Sequence, residues 1–461
     1  MRIKKRWLLS FAVFISLLVL FIGPWPLAES DFQDAPYAKK TFARIQQARL
    51  DTRVAPLLAG AAQADITPPP GVPLGGYSAR SPKANTGAMA PVHVGALSLG
   101  NGQRTVTLVS AEILLPLPRL VDAVVKRTGL ARENLYFTAS HTHSGPGGYA
   151  DSFIARFTLG ELDPAYFEHL VSRISQAIVQ SRQALQPARL RYYRLRPSPE
   201  LARGLIYNQL EHGPRAHSTV HVLQALSRDG TQPLATVLSF SAHPTFLGRV
   251  NRQVSGDYPA LLMQQLQARL HSPVLFAAGA VGGMLPMGLG QIPASELERE
   301  LAQMQDMAHR LADFVAGRLA DTAPTLDLER AAIAALLLPV ELPPPSYRLG
   351  QSWQLSPWLI DLVFHSRRSY VHALRVGRIV WLGYPADYAG ELAMELERWG
   401  ETRNIYPWVN SFNGDYIGYL SPSWRYSTAH YTVRDVSFYG RWAGDYFNAI
   451  GKRLMQKMAS G

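Results

Sequence analysis

The segment TVTLVSAEILLPLPRLVDAVVKRTGLARENLYFTAS (105–140) decides the fold class. TVTLVSAEI (105–113) and LYFTAS (135–140) are short apolar runs of strand length. Between them, Leu117 to Thr128 repeats apolar residues at helical spacing and stops at Gly129, a common helix terminator. Strand, helix and strand in succession indicate an α/β fold. The alternation continues outward. A long amphipathic helix is expected over 165–187. VHVLQAL (220–226) and ATVLSFSAH (235–243) flank Asp229-Gly230, a hairpin signal. A helix over 259–270 precedes the strand PVLFAAGA (273–280), and 295–320 reads as helix again. RIVWLGYP (378–385) is a strand running into a helix at 388–399, and the last helix covers 441–457. The proline-rich patch 339–346 reads as a loop. The expectation is one large single α/β domain over 57–461, with β-sheets flanked by helices and a metal site at strand ends.

Composition bounds the rest. At 461 residues, length alone suggests about three domains, but large single enzyme domains reach this size. A content of 47% apolar and 17% charged residues excludes disorder as the main state. Cysteine is absent, which excludes disulfide scaffolds, thiolate metal sites and cysteine nucleophiles. Net charge is +12, yet no run of five or six basic residues occurs, so no nucleic-acid partner is expected.

Four of the positive charges (Arg2, Lys4, Lys5, Arg6) precede the apolar run WLLSFAVFISLLVLFIG (7–23). Charge followed by an apolar run is the layout of a secretory signal or a signal anchor. Residues 1–28 are thus expected to be either a signal peptide cleaved near Ala28 or an uncleaved transmembrane anchor. In both cases the remainder is exported to the periplasmic or extracellular face, and in the second it stays membrane-tethered. Residues 29–56 read as a linker or stalk, helical or not.

The chemistry-bearing segment is ASHTHSGPGGY (139–149), directly after a strand. His141 and His143 are two apart, so in extended chain both face one way. Both can reach one metal, or one can bind while the other acts on substrate. His243 ends another strand in SFSAHPTFLG, followed by VSGDYPA with Ser255, Asp257 and Tyr258. Without thiolates, a zinc site must use His, carboxylate or Tyr oxygen. Glu112 and Asp387 are carboxylates at strand ends, and Glu391 lies four residues beyond Asp387. Tyr416 falls in the aromatic stretch SFNGDYIGYLSPSWRY (411–426).

Several blocks together resemble the neutral/alkaline (non-lysosomal) ceramidase family, specifically its catalytic N-terminal domain. They are AGAAQADITPPPGVPLGGY (59–77), VSAEILL (109–115), TASHTHSGPGG (138–148), SAHPTFLG with VSGDYP (241–259), GYPAD (383–387) and NGDYIGYLSP (413–422). The chain's length leaves room for that domain and not for the family's C-terminal immunoglobulin-like domain. The resemblance implies a zinc-dependent amidohydrolase. It places the metal ligands at His141, His243, Asp387 and Tyr416, with Asp387 standing where the family has Glu. It places His143 beside the substrate as a proton-transfer group. Apart from the resemblance, Asp257 is expected to orient a histidine. The substrate implied is a lipid-like acylated amine or ester. Two departures stand out. The family's Gly-Asp-x-Ser-Pro-Asn motif, with its essential Ser, reads Gly282-Gly283-Met284-Leu285-Pro286-Met287 here, and its substrate-contacting Asn-Arg reads Asn208-Gln209. Zinc-activated water needs no serine. The alternative is a catalytically silent relative that binds a lipid or a cell-envelope partner.

Overall fold

The computed structural model describes residues 2–460 apart from 28–30, 51–52, 81–82, 211–215, 288–296, 351 and 365–367. Helix α1 (Arg2–Phe21) and helix α2 (Pro36–Gln47) lead into the first strands, β1 (Leu58–Asp65), β2 (His93–Gly100) and β3 (Thr105–Ala111). Helix α3 (Pro118–Thr128) connects to β4 (Leu135–Ala139), and α4 (Pro164–Gln183) to β5 (Gln186–Leu195). Strands β6 (Val220–Ser227) and β7 (Pro233–Phe240) form a hairpin, whose turn carries Gly230 at φ 77. Then come α5 (Asp257–Leu270), β8 (Val274–Ala278), α6 (Leu297–Asp321) and β9 (Ile333–Glu341). The chain closes with α7 (Pro357–Phe364), β10 (Arg368–Val376), β11 (Ile379–Gly383), α8 (Gly390–Glu401), β12 (Tyr406–Asn410) and α9 (Ala443–Ala459).

The fold is a mixed α/β domain with a large sheet flanked by helices. Its nine-stranded sheet runs β8-β7-β6-β5-β1-β2-β3-β4, with the short strand Leu326–Leu328 added to β5. Within it, β3 pairs with β4 and β7 with β8 in parallel, and the other pairs are antiparallel. The sheet folds over on itself. Ser110 Oγ donates to the Phe276 carbonyl, and Leu275 packs so close to Gly95 that a Cβ there would lie 2.6 Å from its Cγ. A second, four-stranded sheet runs β9-β10-β11-β12, with β11 and β12 parallel. The core between the sheets includes Trp381 and Trp408, stacked at 5.1 Å.

Two elements depart from the sequence reading. Strand β1 (LAGAAQAD) is made of small residues that favour helix in isolation. It is a strand because α4 crosses it closely: a Cβ on Gly60 would sit 2.4 Å from the Ser181 carbonyl oxygen. Strand β9 continues into the patch read as a loop, pairing through Pro339↔Tyr370. An edge strand tolerates a proline, because the missing N–H faces no neighbour.

The N-terminal segment holds helices α1 and α2. Among the described residues, no helix is long and apolar enough to cross a membrane. Helix α1 spends its first turns on the basic residues, and its apolar part, about 15 residues, rises roughly 22 Å against about 30 Å of hydrocarbon. The boundary at Ala28 lies outside the described residues. In the stretch read as a linker, α2 buries Ala38, Thr41 and Ile45 in the core around the second sheet. Arg44 there donates to Glu341 Oε1 at 2.7 Å, so α2 is docked on the domain.

Candidate metal centre

Five strands end at one place. After β4 comes His141, after β7 His243, after β8 the turn Gly279–Gly283, after β11 Asp387 and after β12 Tyr416. The strands that end here form or border parallel pairs, and the crevice beyond the carboxyl ends of parallel strands is where α/β folds place their chemistry. The backbone is strained at this spot. His141, Asp257 and Phe412 hold φ of 65, 56 and 59, a region non-glycine residues rarely adopt. Phe412 lies flat on the His141 ring, centroids 3.7 Å apart.

The Nε2 atoms of His141, His143 and His243 converge. His141 is 3.0 Å from His243 and 3.2 Å from His143, and His143 is 3.0 Å from His243. The Nδ1 of His141 donates to the Leu114 carbonyl at 2.7 Å. His141 therefore presents an Nε2 lone pair to two other imidazole nitrogens, at 3.0 and 3.2 Å, a contact that calls for a proton or a cation between them. A proton is disfavoured: burial lowers His243 to about 4 and takes His141 well below its ordinary range. The geometry thus favours a metal ion, whose tetrahedral nitrogen ligands sit about 3.3 Å apart for zinc-like bond lengths. His141 has the carbonyl partner typical of metal-binding imidazoles, whereas His143 Nδ1 is buried without one. Gly76, at φ +120, gives His143 its room: a Cβ there would lie 2.6 Å from the His143 backbone.

The three imidazoles have ligand atoms close enough to hold one ion, and Asp387 stands beside them. Its Oδ1 is buried, has no hydrogen-bond partner, and lies 3.8 Å from His141 Nε2 and 3.9 Å from His243 Nδ1. Its Oδ2 accepts from Tyr416 at 2.7 Å. Tyr416 thus stands on the carboxylate. Burial raises the Asp387 carboxyl to about 7, opposed by hydrogen bonds from Tyr416 and Tyr419.

Residues 57–272 match the family model described as neutral/alkaline non-lysosomal ceramidase, N-terminal. Over this region, a little under half of its length, the chain is similar to that family. It is 23% identical over 178 residues to a neutral ceramidase of Mycobacterium tuberculosis, covering 34% of this chain and 26% of the relative. With neutral ceramidase A of Dictyostelium discoideum it shares 23% over 162 residues, covering 32% and 22%. The alignments thus span only about a quarter of these relatives. The fold extends further: a crystal structure of the Pseudomonas aeruginosa neutral ceramidase superposes with a TM-score of 0.73 at 18% identity, over 87% of this chain and 75% of that one. The family match contains His141, His143, His243 and Asp257, whereas Asp387 and Tyr416 lie beyond it.

Asp257 is near the ceramidase-like centre without touching a histidine. Its carboxylate accepts the N–H of Leu247 at 3.1 Å and of Tyr258 at 2.7 Å, so it braces the loop that follows His243. The segment 282–286, where the resemblance leads one to look for a serine, packs against the site: Met284 O accepts the His243 N–H at 3.0 Å. It carries no hydroxyl. Sequence reasoning missed Arg80, which is buried and donates to the carbonyls of His143 and, at 2.6 Å, Gly75. It also missed Phe412 and Tyr419. Only the placing of Tyr419 in the NGDYIGY block hinted at any of them.

A second buried cluster sits behind the first. Glu397 Oε1 accepts from His217 Nε2 at 2.8 Å and His221 Nε2 at 3.0 Å, and Oε2 from Thr219 at 3.1 Å. His217 Nδ1 meets Ser241 Oγ at 2.7 Å, and His221 Nδ1 meets the Tyr192 hydroxyl at 2.8 Å. These ligand atoms are close enough to hold a metal ion, but each is already engaged in a hydrogen bond. Ser241 also takes the Ala280 N–H at 3.0 Å, so the network supports the strand end that carries His243.

Glu112 lies beneath the His141 loop with Oε2 buried and unpartnered. Burial raises its carboxyl to about 8, opposed by a backbone hydrogen bond at His93. The folded chain then holds a proton that the unfolded chain releases near its ordinary 4.5, so stability falls as pH rises from there to about 8. Glu112→Gln should flatten that slope, which is at most about 1.4 kcal/mol per pH unit. Urea unfolding across this pH range measures it, and an unchanged slope in the variant would show that the carboxyl is not the source.

Proposed function

We propose that the chain is a zinc-dependent hydrolase that cleaves the amide or ester bond of a lipid-like acylated substrate. The observation that carries this reading is the meeting of the His141, His143 and His243 Nε2 atoms within 3.2 Å, with the orphaned Asp387 Oδ1 3.8 Å from His141. His141, His243 and Asp387 would hold the ion, and Tyr416 would fix the carboxylate. Zinc bound there supplies an acidified water and polarises a carbonyl. His143, with Nδ1 unpartnered, takes the proton released on attack and returns it to the leaving group. Tyr77, at 5.0 Å ring to ring, and the Arg80 clamp keep that imidazole in place. The resemblance to neutral ceramidases supports an acylated amine as substrate class. The charged-then-apolar N-terminus supports export.

The test is a panel of N-acyl amines and esters with and without chelator. Turnover that chelator abolishes and zinc restores is expected. A second reading, a silent lipid-binding relative, is favoured by the hydroxyl-free segment 282–287; a panel with no turnover in zinc-loaded protein would select it.

A further inference from the structure

We infer that the face formed by α1, α7 and a small Trp-bearing sheet is a docking surface for an anionic lipid bilayer, joined through strand pairings to the segment that carries Asp387. This deepens the lipid-substrate reading above, and its test does not pass through turnover.

The surface begins with three short strands, Trp25–Pro26, Trp353–Gln354 and Arg348–Leu349, paired in that order. Helix α1 is fixed to them. Trp25 Nε1 donates to the carbonyls of Val19 and Leu20 at 2.8 and 3.2 Å, and the Ser356 N–H reaches the Ile22 carbonyl at 2.9 Å. Helix α7 follows directly. Its Trp358 and Leu362 are 71% and 66% exposed, and Trp353 is 49% exposed on the adjoining strand. Large apolar side chains this open in one region mark an interaction site.

The occupant follows from chemistry. Along α1, Phe11, Val13, Phe14, Ile15 and Leu17 are all exposed, and these positions point all round the helix. A partner helix covers one stripe, whereas a fluid apolar phase covers every side. Tryptophan is the residue of the membrane–water interface, because its ring is apolar and its N–H polar. Basic residues border α1 in sequence, Arg2, Lys4, Lys5 and Arg6, on a chain of net charge +12. That charge complements anionic headgroups.

The surface is joined to the site. The Arg348 guanidinium donates to the carbonyls of Tyr426 and, at 2.8 Å, Thr428. Ser346 bridges to Tyr439, its N–H reaching the Phe438 carbonyl at 2.7 Å. Two residues before Tyr439, Ser437 bridges to Gly418 and its hydroxyl donates to the Tyr419 carbonyl at 3.1 Å, and Tyr419 is the register partner of Asp387. A lipid leaving the bilayer at Trp353 would meet the strand pairing that carries the carboxylate.

Because the chain has no cysteine, Leu362→Cys carries a single environment-sensitive fluorophore. The full chain so labelled should shift to the blue with phosphatidylglycerol-containing vesicles and respond weakly to phosphatidylcholine alone. Trp353→Glu with Trp358→Glu should weaken vesicle co-sedimentation by about tenfold or more, while zinc content and turnover of a water-soluble short-chain substrate stay at the parent level. A silent label, or vesicle binding unchanged by the double substitution, would overturn the proposal. So would self-association at rising protein concentration that the same substitutions abolish, because the face would then belong to a second copy. Vesicle binding without turnover on any substrate would sink the hydrolase reading and leave this one standing.

Discussion

Glu397→Ala should lower the unfolding free energy by about 3–5 kcal/mol, the range for removing one partner of a buried charged network. Burial pushes the Glu397 carboxyl up, yet the imidazoles of His217 and His221 hold it well below its ordinary range. It is therefore a carboxylate in the core. Without it, the donors of His217, His221 and Thr219 lose their acceptor where water cannot replace it. Glu397→Gln keeps an acceptor of the same shape and should cost less. Urea unfolding measures both. The consequence reaches the metal centre, because Ser241 joins this network two residues before His243. Partners that orient a ligand are worth about 10–100-fold in metal affinity, and the alanine variant should lose affinity on that scale. Unchanged stability in Glu397→Ala would mean that the three donors find other acceptors.

His141→Ala should abolish stoichiometric metal and lower hydrolysis by more than about 100-fold. A direct ligand is worth more than the groups that orient it. The Leu114 carbonyl that fixes the His141 tautomer would be left bare. His143→Ala separates the roles. With its Nδ1 unpartnered, His143 is not locked as a metal ligand, so this variant should keep most of its metal and lose kcat. Metal content by mass spectrometry, alongside kcat and KM, decides. Loss of metal in His143→Ala equal to that in His141→Ala would make it a third histidine ligand.

The helices and the central strands were legible because their apolar residues repeat at the right spacing: Leu117 to Thr128 is helix α3 within one residue. Strand β1 was not, because its small residues answer to a crossing helix more than a hundred residues away. Strand β9 was hidden by Pro339, which signals a loop unless the strand is known to lie at an edge. The site was legible where it sits in one block. His141 and His143 announce themselves by spacing, whereas their meeting with His243 and Asp387 depends on two sheets coming together. Arg80 and Phe412 could not be found at all, since nothing in an isolated buried arginine or a loop phenylalanine marks what it will touch.

The convergence of five strand ends has a consequence for folding. His141 and His243 follow strands of the large sheet, and Asp387 follows a strand of the small one. No contiguous fragment offers the full set. A metal held there is bound only after the sheets have docked, so all of its binding energy counts toward the native state and none toward a partly folded chain. The ion would act as a clasp between the two halves, and its removal would be felt first as a loosening of the seam where β8 and β12 meet, at Asn410 and the Ala278 carbonyl.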